Sequence, residues 1–159
     1  MATQNGSPAD TNAPALNVLV QYIKDLSFEN PNAPRSLASP TAQPDVNIQI
    51  NVNARPLQGG EFEVELQING DAAVQGTTLF AVELVYGGIF RVQNVPEQSI
   101  QPVVLIECPR LLFPFARQIV AEAVRGGGFP PLMIDPVDFA ALYQQRLAAA
   151  ENMATAGQA

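Results

Sequence analysis

Few side chains in this sequence belong to the types that carry out catalysis. The chain has no histidine and a single cysteine, Cys108. Without histidine it cannot form a Ser–His or Cys–His nucleophile, an imidazole metal site or a histidine pH switch. Cys108 precedes a proline near a predicted helix start, where a helix dipole could lower the thiol pKa. Because no histidine can act as its base, we interpret Cys108 as a buried structural residue and expect no enzyme, metal or cofactor.

Two further motifs could suggest chemistry, and each has a structural explanation. The glycine runs at 59–60, 87–88 and 126–128 lack the lysine and the spacing of a phosphate-binding loop and are interpreted as turns. Asp135 and Asp138 could form a carboxylate pair for acid–base or metal chemistry. Helix capping explains both, with Asp135 as the N-cap of a new helix.

Three glutamates, Glu61, Glu63 and Glu65, alternate along one predicted strand and would share one face of it. Such a row is usually a solvated face. Aligned like charges can also attract a basic partner, so the row could add to a negative field.

The net charge argues against nucleic acid and anionic lipid surfaces as partners. With 15 acidic and 8 basic residues, the net charge is -7, which repels nucleic acid and anionic lipid surfaces. We therefore expect no nucleic-acid binding.

The sequence also predicts no stable membrane insertion. The longest dense apolar stretch, residues 102–106, is far shorter than the roughly 20 residues of a membrane-spanning helix. The N-terminal residues lack the positive cluster and apolar core of a secretory signal. A lone cysteine forms no intrachain disulfide, so nothing requires an oxidising compartment. We expect a cytoplasmic protein.

The elements that must position these residues begin with four antiparallel strands, joined as a meander by short glycine-bearing turns at 59–60 and 69–76. A long Pro- and Ser-rich loop follows the first strand. The second and third strands alternate strictly between apolar and polar residues, which predicts one buried and one solvated face. The strands are predicted over residues 17–28, 46–53, 61–68 and 77–92.

The fourth strand differs from its neighbours because both of its faces are largely apolar. This indicates a second packing partner, which could be another subunit or the long loop. One face carries Phe80, Val82, Leu84 and Tyr86, and the other carries Leu79, Ala81, Glu83 and Val85.

Helical periodicity follows the strands. Apolar residues at three- and four-residue spacing predict a main helix over 114–125, with a kink or restart at Pro109 or Pro114. A last helix is predicted after Asp135, with Phe139, Leu142, Tyr143 and Leu147 along one side. Strands followed by helices packed on one face of the sheet predict an α+β fold.

Both ends are rich in small and polar residues, which predicts disordered tails over 1–15 and 148–159 and one folded domain over 16–147. The two helices are joined by an unusually apolar loop over 127–134 (GGFPPLMI). Exposed apolar groups with a flexible methionine suit a promiscuous binding surface. The alternative, that these side chains fold back into the core, stays open. The predicted capture surface of the loop and last helix comprises Phe129, Leu132, Met133, Ile134, Phe139 and Tyr143.

Four sequence blocks, in order and with matching spacing, together resemble the SecB family of bacterial protein-export chaperones. The blocks are residues 24–29 with 32–34 (KDLSFE and NAP), 87–90 (GGIF), 108–109 with 112–117 (CP and LFPFAR) and 128–139 (GFP to PVDF). The resemblance implies a homotetramer, arranged as a dimer of dimers with the helices between the sheets. It also implies an ATP-independent holdase that keeps unfolded preproteins export-competent and delivers them to SecA.

The resemblance further assigns roles to single positions. The SecA contacts carry over to Asp25, Glu29, Ala81 and Glu83, with alanine where the family often has leucine. The positions associated with tetramer stability fall on Val82, Leu84 and Tyr86. Many members have a tryptophan at the end of the long loop, and this chain has none. Two alternatives stay open: a SecB-like chaperone dedicated to a toxin–antitoxin system, and an oligomeric interaction scaffold that is not a chaperone.

Overall fold

The computed structural model describes residues 12–38 and 42–157. Its strands precede its long helices, which confirms the predicted α+β class. The elements in chain order are β1 (Ala15–Glu29), a 3₁₀ turn (Arg35–Leu37), β2 (Asp45–Pro56), β3 (Glu61–Val74), β4 (Thr77–Gln93), α1 (Glu97–Pro102), a π-helical turn (Val103–Glu107), α2 (Cys108–Gly126) and α3 (Phe139–Ala156).

The four strands form one antiparallel sheet in the order β1-β4-β3-β2. The predicted meander is correct for β2, β3 and β4 but wrong for β1, which pairs with β4 and not with β2. The loop between Glu29 and Asp45 is long enough to cross the end of the sheet, so the strands that it joins need not be neighbours. The topology is therefore a Greek key with β1 and β2 at its two edges.

The hairpin turns lie at residues with positive φ. Gly59 and Gly60, with φ of 70° and 76°, form the predicted turn between β2 and β3. The predicted link at 69–76 is mostly strand, because β3 continues through it and only Gln75 and Gly76 turn the chain.

Two glycines interpreted as a turn lie inside β4 instead. Gly87 and Gly88 are buried, and neighbouring side chains lie close to their backbone. A Cβ atom at Gly87 would lie 2.8 Å from the Tyr22 ring, and one at Gly88 would lie 3.0 Å from Leu112. The turn prediction for 87–88 is wrong because these glycines serve close packing against the β4 backbone.

A continuous helical segment runs from α1 through the π-helical turn into α2. The main helix therefore begins at Cys108, earlier than predicted. Pro109 lies in the first turn of α2, directly after the π-helical turn. The helix continues past Pro114, and the change in helical geometry falls in the π-helical turn, before both prolines.

The last helix begins and ends later than predicted. Asp138 is its N-cap, and its carboxylate accepts a hydrogen bond from the Ala141 backbone nitrogen at 3.0 Å. The prediction of Asp135 as the N-cap is wrong, because residues up to 138 are extended or irregular. Residues 148–156, expected in a disordered tail, continue α3 with exposed side chains. Most of the predicted N-terminal tail lies outside the described residues.

The core lies between α2 and one face of the sheet, which we call the inner face. Its side chains have essentially no exposed surface and pack as one cluster. Each buried aliphatic side chain stabilises the fold by roughly 1.5–3 kcal/mol. Helix α2 contributes Leu112, Ala116, Val120 and Val124, and the sheet contributes Val64, Leu66, Ile68, Val82 and Leu84. The opposite face, which we call the outer face, carries the side chains that alternate with these.

The close approach of Tyr22 to Gly87 predicts the effect of a single methyl group. The substitution Gly87→Ala should destabilise the protein by about 1–3 kcal/mol, because the added Cβ overlaps the Tyr22 ring. Urea denaturation measures this loss. The matched substitution Gly126→Ala, at the exposed end of α2 with no atom within 4 Å of the new Cβ, should leave stability unchanged or slightly increased. Equal effects of the two substitutions would contradict the packing described for Tyr22.

Candidate functional site

One end of the outer face brings together the four positions assigned to a basic partner. Asp25 and Glu29 on β1 lie beside Ala81 and Glu83 on β4, since the register places Glu29 opposite Ala81 and Ser27 opposite Glu83. The three carboxylates are exposed. Within residues 12–38 and 42–157, none of the three forms an ion pair.

The other end of the outer face carries the glutamate row, and its charges are paired. Glu61 accepts a hydrogen bond from Arg91 Nη2 at 2.7 Å. Glu65 forms an ion pair with Lys24. The row therefore does not present three free negative charges to a partner, as the sequence had suggested it could.

Glu63, at the middle of the row, is buried in a polar network that spans the sheet. Only 6% of its surface is exposed. Its carboxylate accepts hydrogen bonds from the Tyr22 hydroxyl, from Lys24 Nζ at 3.2 Å and from Arg55 Nε at 2.7 Å. Tyr22 lies on β1 and reaches β3 by passing over Gly87 of the intervening strand. The network therefore connects both edge strands to the centre of the sheet.

The hydrogen bonds to Glu63 change its titration. The bond from Tyr22, followed by that from Arg55, lowers the pKa of Glu63 to about 2. Burial and the bond to Glu63 raise the pKa of Tyr22 to about 12. Both groups therefore keep their protonation states through the physiological range, which suits a structural network rather than proton transfer.

Cys108 is fully buried, as predicted. Burial, with a smaller contribution from the Glu107 charge, raises the pKa of its thiol to about 12. The thiol stays protonated and is unsuited to act as a nucleophile. In the part of the chain that the structure describes, no group of acidic or cysteine side chains could hold a metal ion. No helix there is long and apolar enough to cross a membrane.

The three positions associated with tetramer stability lie in the core of this single chain. Val82 and Leu84 are completely buried on the inner face beneath α2. Tyr86 lies at the edge of this core, where its hydroxyl donates to Gln21 at 3.1 Å and its ring stacks on Phe115 with centroids 6.4 Å apart. Phe115 is 52% exposed. The apolar face with Val82 thus has α2 of its own chain as its packing partner.

The apolar loop before α3 largely folds back, which was the alternative left open. Ile134 and Phe139 are buried. Phe129 packs on Phe80 with ring centroids 5.1 Å apart, and Leu132 is half-buried. Of the six predicted capture residues, Met133 alone is well exposed, at 68%.

Tyr143 lies elsewhere, in a groove between α3 and the β2 edge of the sheet. Two adjoining cavities of about 500 and 590 Å³ share Leu105, Tyr143 and Arg146 in their walls. Arg146 hydrogen-bonds the Val52 backbone carbonyl and so ties α3 to the outer edge of β2. The apolar wall residues of the groove include Ala54, Pro56, Phe62, Ile100, Val104, Leu105, Leu142, Tyr143 and Leu147, and the polar wall residues are Asn51, Asn53, Gln67, Glu97, Gln101, Gln145 and Arg146.

Sequence reasoning missed most of this groove. Its walls come from β2, β3, α1, the π-helical turn and α3, which are distant in sequence. The apolar period of the last helix, which included Leu142, Tyr143 and Leu147, was the one signal that pointed to it.

The other edge of the sheet is a long strand with exposed apolar side chains. β1 has 15 residues, with bulges at Leu19 and Lys24. The exposed apolar residues of β1 are Val18, Leu19, Val20, Ile23 and Leu26. An edge strand with unpaired backbone groups and apolar side chains is a template for pairing with another chain.

Comparison with known proteins gives a consistent picture. The family model of the preprotein translocase subunit SecB matches residues 9–150. The chain is 83% identical to the protein-export protein SecB of Azorhizobium caulinodans over the whole length of both, and 76% identical to that of Xanthobacter autotrophicus over 92% of this chain and 94% of the relative.

A solved structure shows the same fold. It is the SecB-like chaperone of Mycobacterium tuberculosis in complex with a ChAD peptide from the HigA1 antitoxin. The TM-score is 0.64 at 12% identity, over 77% of this chain and 90% of that one.

The Glu63 network predicts a pH-dependent contribution to stability. Glu63→Gln should lower the free energy of unfolding at neutral pH by about 1–3 kcal/mol, because Lys24 and Arg55 lose their shared carboxylate. The stabilisation by ionised Glu63 is complete above its ordinary pKa of 4.5 and is lost as pH falls towards about 2. The difference between variant and parent should therefore shrink as the pH falls from about 5 to about 3, as measured by urea denaturation.

The control for this experiment is Glu83→Gln, which removes an exposed carboxylate that forms no ion pair within the described part of the chain. It should change stability little at any of these pH values. A Glu63→Gln deficit that stays constant with pH would contradict the role assigned to the ionised carboxylate.

Proposed function

The chain belongs to the SecB family of protein-export proteins, and from this membership we propose an ATP-independent holdase. It binds unfolded preproteins in the cytoplasm, keeps them translocation-competent and delivers them to SecA. The observation that carries the proposal is the open, mainly apolar groove between α3 and the β2 edge, on a chain whose net charge is -7. A holdase needs apolar surface for its clients and net charge for solubility.

The groove suits transient capture of unfolded chains. Three or four client side chains, buried at roughly 1.5–3 kcal/mol each, give about 5–10 kcal/mol before the cost of ordering the client. Each groove then binds weakly. A client that wraps around several subunits gains affinity through multivalency.

The edge of β2 adds recognition that does not depend on client sequence. The Val52 carbonyl points away from the sheet, because it accepts the hydrogen bond from Arg146. In an antiparallel strand alternate residues point their N–H and C=O groups the same way, so Ile48 and Ile50 also direct theirs outward. An extended client segment can hydrogen-bond to such groups whatever its side chains are.

Assembly as a homotetramer, a dimer of dimers, is part of the proposal. Pairing of β1 with β1 of a second copy would cover its exposed apolar edge and satisfy its backbone groups. Leu111 and Phe115, exposed on the outward side of α2, offer a second contact. Val82, Leu84 and Tyr86 would then stabilise the tetramer indirectly. They pack beneath α2 and against the Phe115 ring, and so position both for the contact with another subunit.

Delivery to SecA is proposed at the acidic end of the outer face. Asp25, Glu29 and Glu83 are exposed there around Ala81, on the side of the sheet opposite to α2. A basic SecA segment that binds this end leaves the groove at the β2 edge free for a client.

The assembly proposal predicts the effect of a charge on α2. Phe115→Asp should reduce the mass measured by light scattering from a tetramer to a smaller species, because the buried contact would hold an unpaired charge at a cost of about 2 kcal/mol or more. The protomer should stay folded by circular dichroism, since Phe115 is half-exposed. The control Met153→Asp, at a residue 78% exposed on α3, should keep the parent mass. An unchanged mass for Phe115→Asp would exclude this contact.

The client proposal predicts a loss of holding activity from changes in the groove. The double substitution Tyr143→Ser and Leu147→Ser should weaken binding of a denatured preprotein about tenfold or more, because two apolar contacts are lost. The delay that the chaperone imposes on client refolding measures this. Met133→Ser, on the exposed loop, serves as the comparison and should have a smaller effect. If Met133→Ser abolishes the delay and the double variant preserves it, clients bind at the loop and not in the groove.

A further inference from the structure

The outer face of the sheet is divided into two electrostatic halves. At one end Glu61, Glu63 and Glu65 are each paired with a cation of the same chain. At the other end the carboxylates have no such partner among the described residues. All eight lysines and arginines of the chain lie within the described ranges, so these are its cationic side chains.

A fourth carboxylate belongs to the unpaired end. Asp71 on β3 is exposed and pairs in register with Ala81 of β4, which in turn pairs with Glu29 of β1. Directly opposed residues on neighbouring antiparallel strands share a face. Glu29, Ala81 and Asp71 therefore form one row across three strands.

Between the two carboxylates of this row lies Ala81, which has only a methyl side chain and is partly exposed. Two strand spacings separate Glu29 from Asp71, which is about 10 Å. A cationic side chain lying over Ala81 would be about 5 Å from each strand and within reach of both carboxylates.

The adjacent row supplies a second observation. Asn69 pairs in register with Glu83, and its side-chain oxygen is buried without a hydrogen-bond partner among residues 12–38 and 42–157. An acceptor left unpaired costs free energy. Because this oxygen has essentially no accessible surface, the Asn69 side chain must rotate before a donor from a partner can reach it. This acceptor lies next to the unpaired carboxylates and not at the paired end of the face.

We propose that Asp71 is a further contact residue of the SecA site, where it binds together with Glu29 a lysine or arginine side chain that lies over Ala81. The proposal rests on the function proposed above and deepens it. The glutamate row at 61–65 is not part of this contact, because its charges are compensated within the chain.

The test compares two substitutions that change the charge equally on the same strand and face. Asp71→Asn should weaken binding of SecA to the intact chaperone about two- to fivefold at 0.1 M salt and reduce the salt dependence. Glu61→Gln, about 34 Å along β3, should leave affinity unchanged because salt screens charges over about 10 Å. Titration calorimetry measures both, and Asp71→Glu should retain binding.

The outcomes separate this inference from the proposed function. If Asp71→Asn binds SecA like the parent while Glu83→Gln binds it more weakly, the inference is wrong and the SecA site stands. Equal losses for Asp71→Asn and Glu61→Gln would show a long-range field without a contact at Asp71 and would also overturn the inference. If the parent chaperone does not bind SecA at all, the proposed function fails and the inference fails with it.

Discussion

The structure depends on one packing arrangement, in which α2 covers the inner face of β3 and β4. The fully buried residues Leu112, Ala116 and Val120 of this helix lie on the sheet, and no comparable layer of the described chain covers the outer face. A sheet with one helical layer has two open edges and one open face. The surfaces proposed for partners follow from that arrangement: the β1 edge and the outward side of α2 for other subunits, the β2 edge for clients, and the outer face for SecA.

The polar network around Glu63 joins the strands to one another on the open outer face. Tyr22 crosses β4 at Gly87 to reach Glu63, and Arg55 reaches it from β2. Two edge strands are thereby fixed to the sheet centre without a second helical layer. The same ion pairs neutralise one half of the outer face and leave the other half negative, so the structural network also determines where a basic partner is attracted. The likeness to the mycobacterial SecB-like chaperone is one of fold alone, at 12% identity, and carries no argument for a toxin–antitoxin role.

The sequence predicted those features that are local. Period-two alternation identified the buried face of β3, because it follows from the pleat of a single strand. The same prediction is largely wrong for β2, an edge strand on which only Val52 is buried and Val46 and Ile48 are exposed. The position of β1 beside β4 could not be predicted, since it depends on pairing between distant segments. The ion pairs of the glutamate row were missed for the same reason, because their cations lie on other strands. The composition of the 127–134 loop showed that it is apolar, but only the packed core shows that Ile134 turns inward. The grouping of Asp25, Glu29 and Glu83 came from the family resemblance.

The proposed client groove and the proposed SecA site at the acidic end of the outer face are separate surfaces. Hydrogen–deuterium exchange on the intact chaperone, with and without a saturating unfolded preprotein, tests this separation most directly. The account predicts slower exchange in β2 and in the part of α3 that lines the groove, together with unchanged exchange at residues 25–29 and 81–83. Protection confined to residues 25–29, 69–71 and 81–83, with β2 and α3 unchanged, would contradict it.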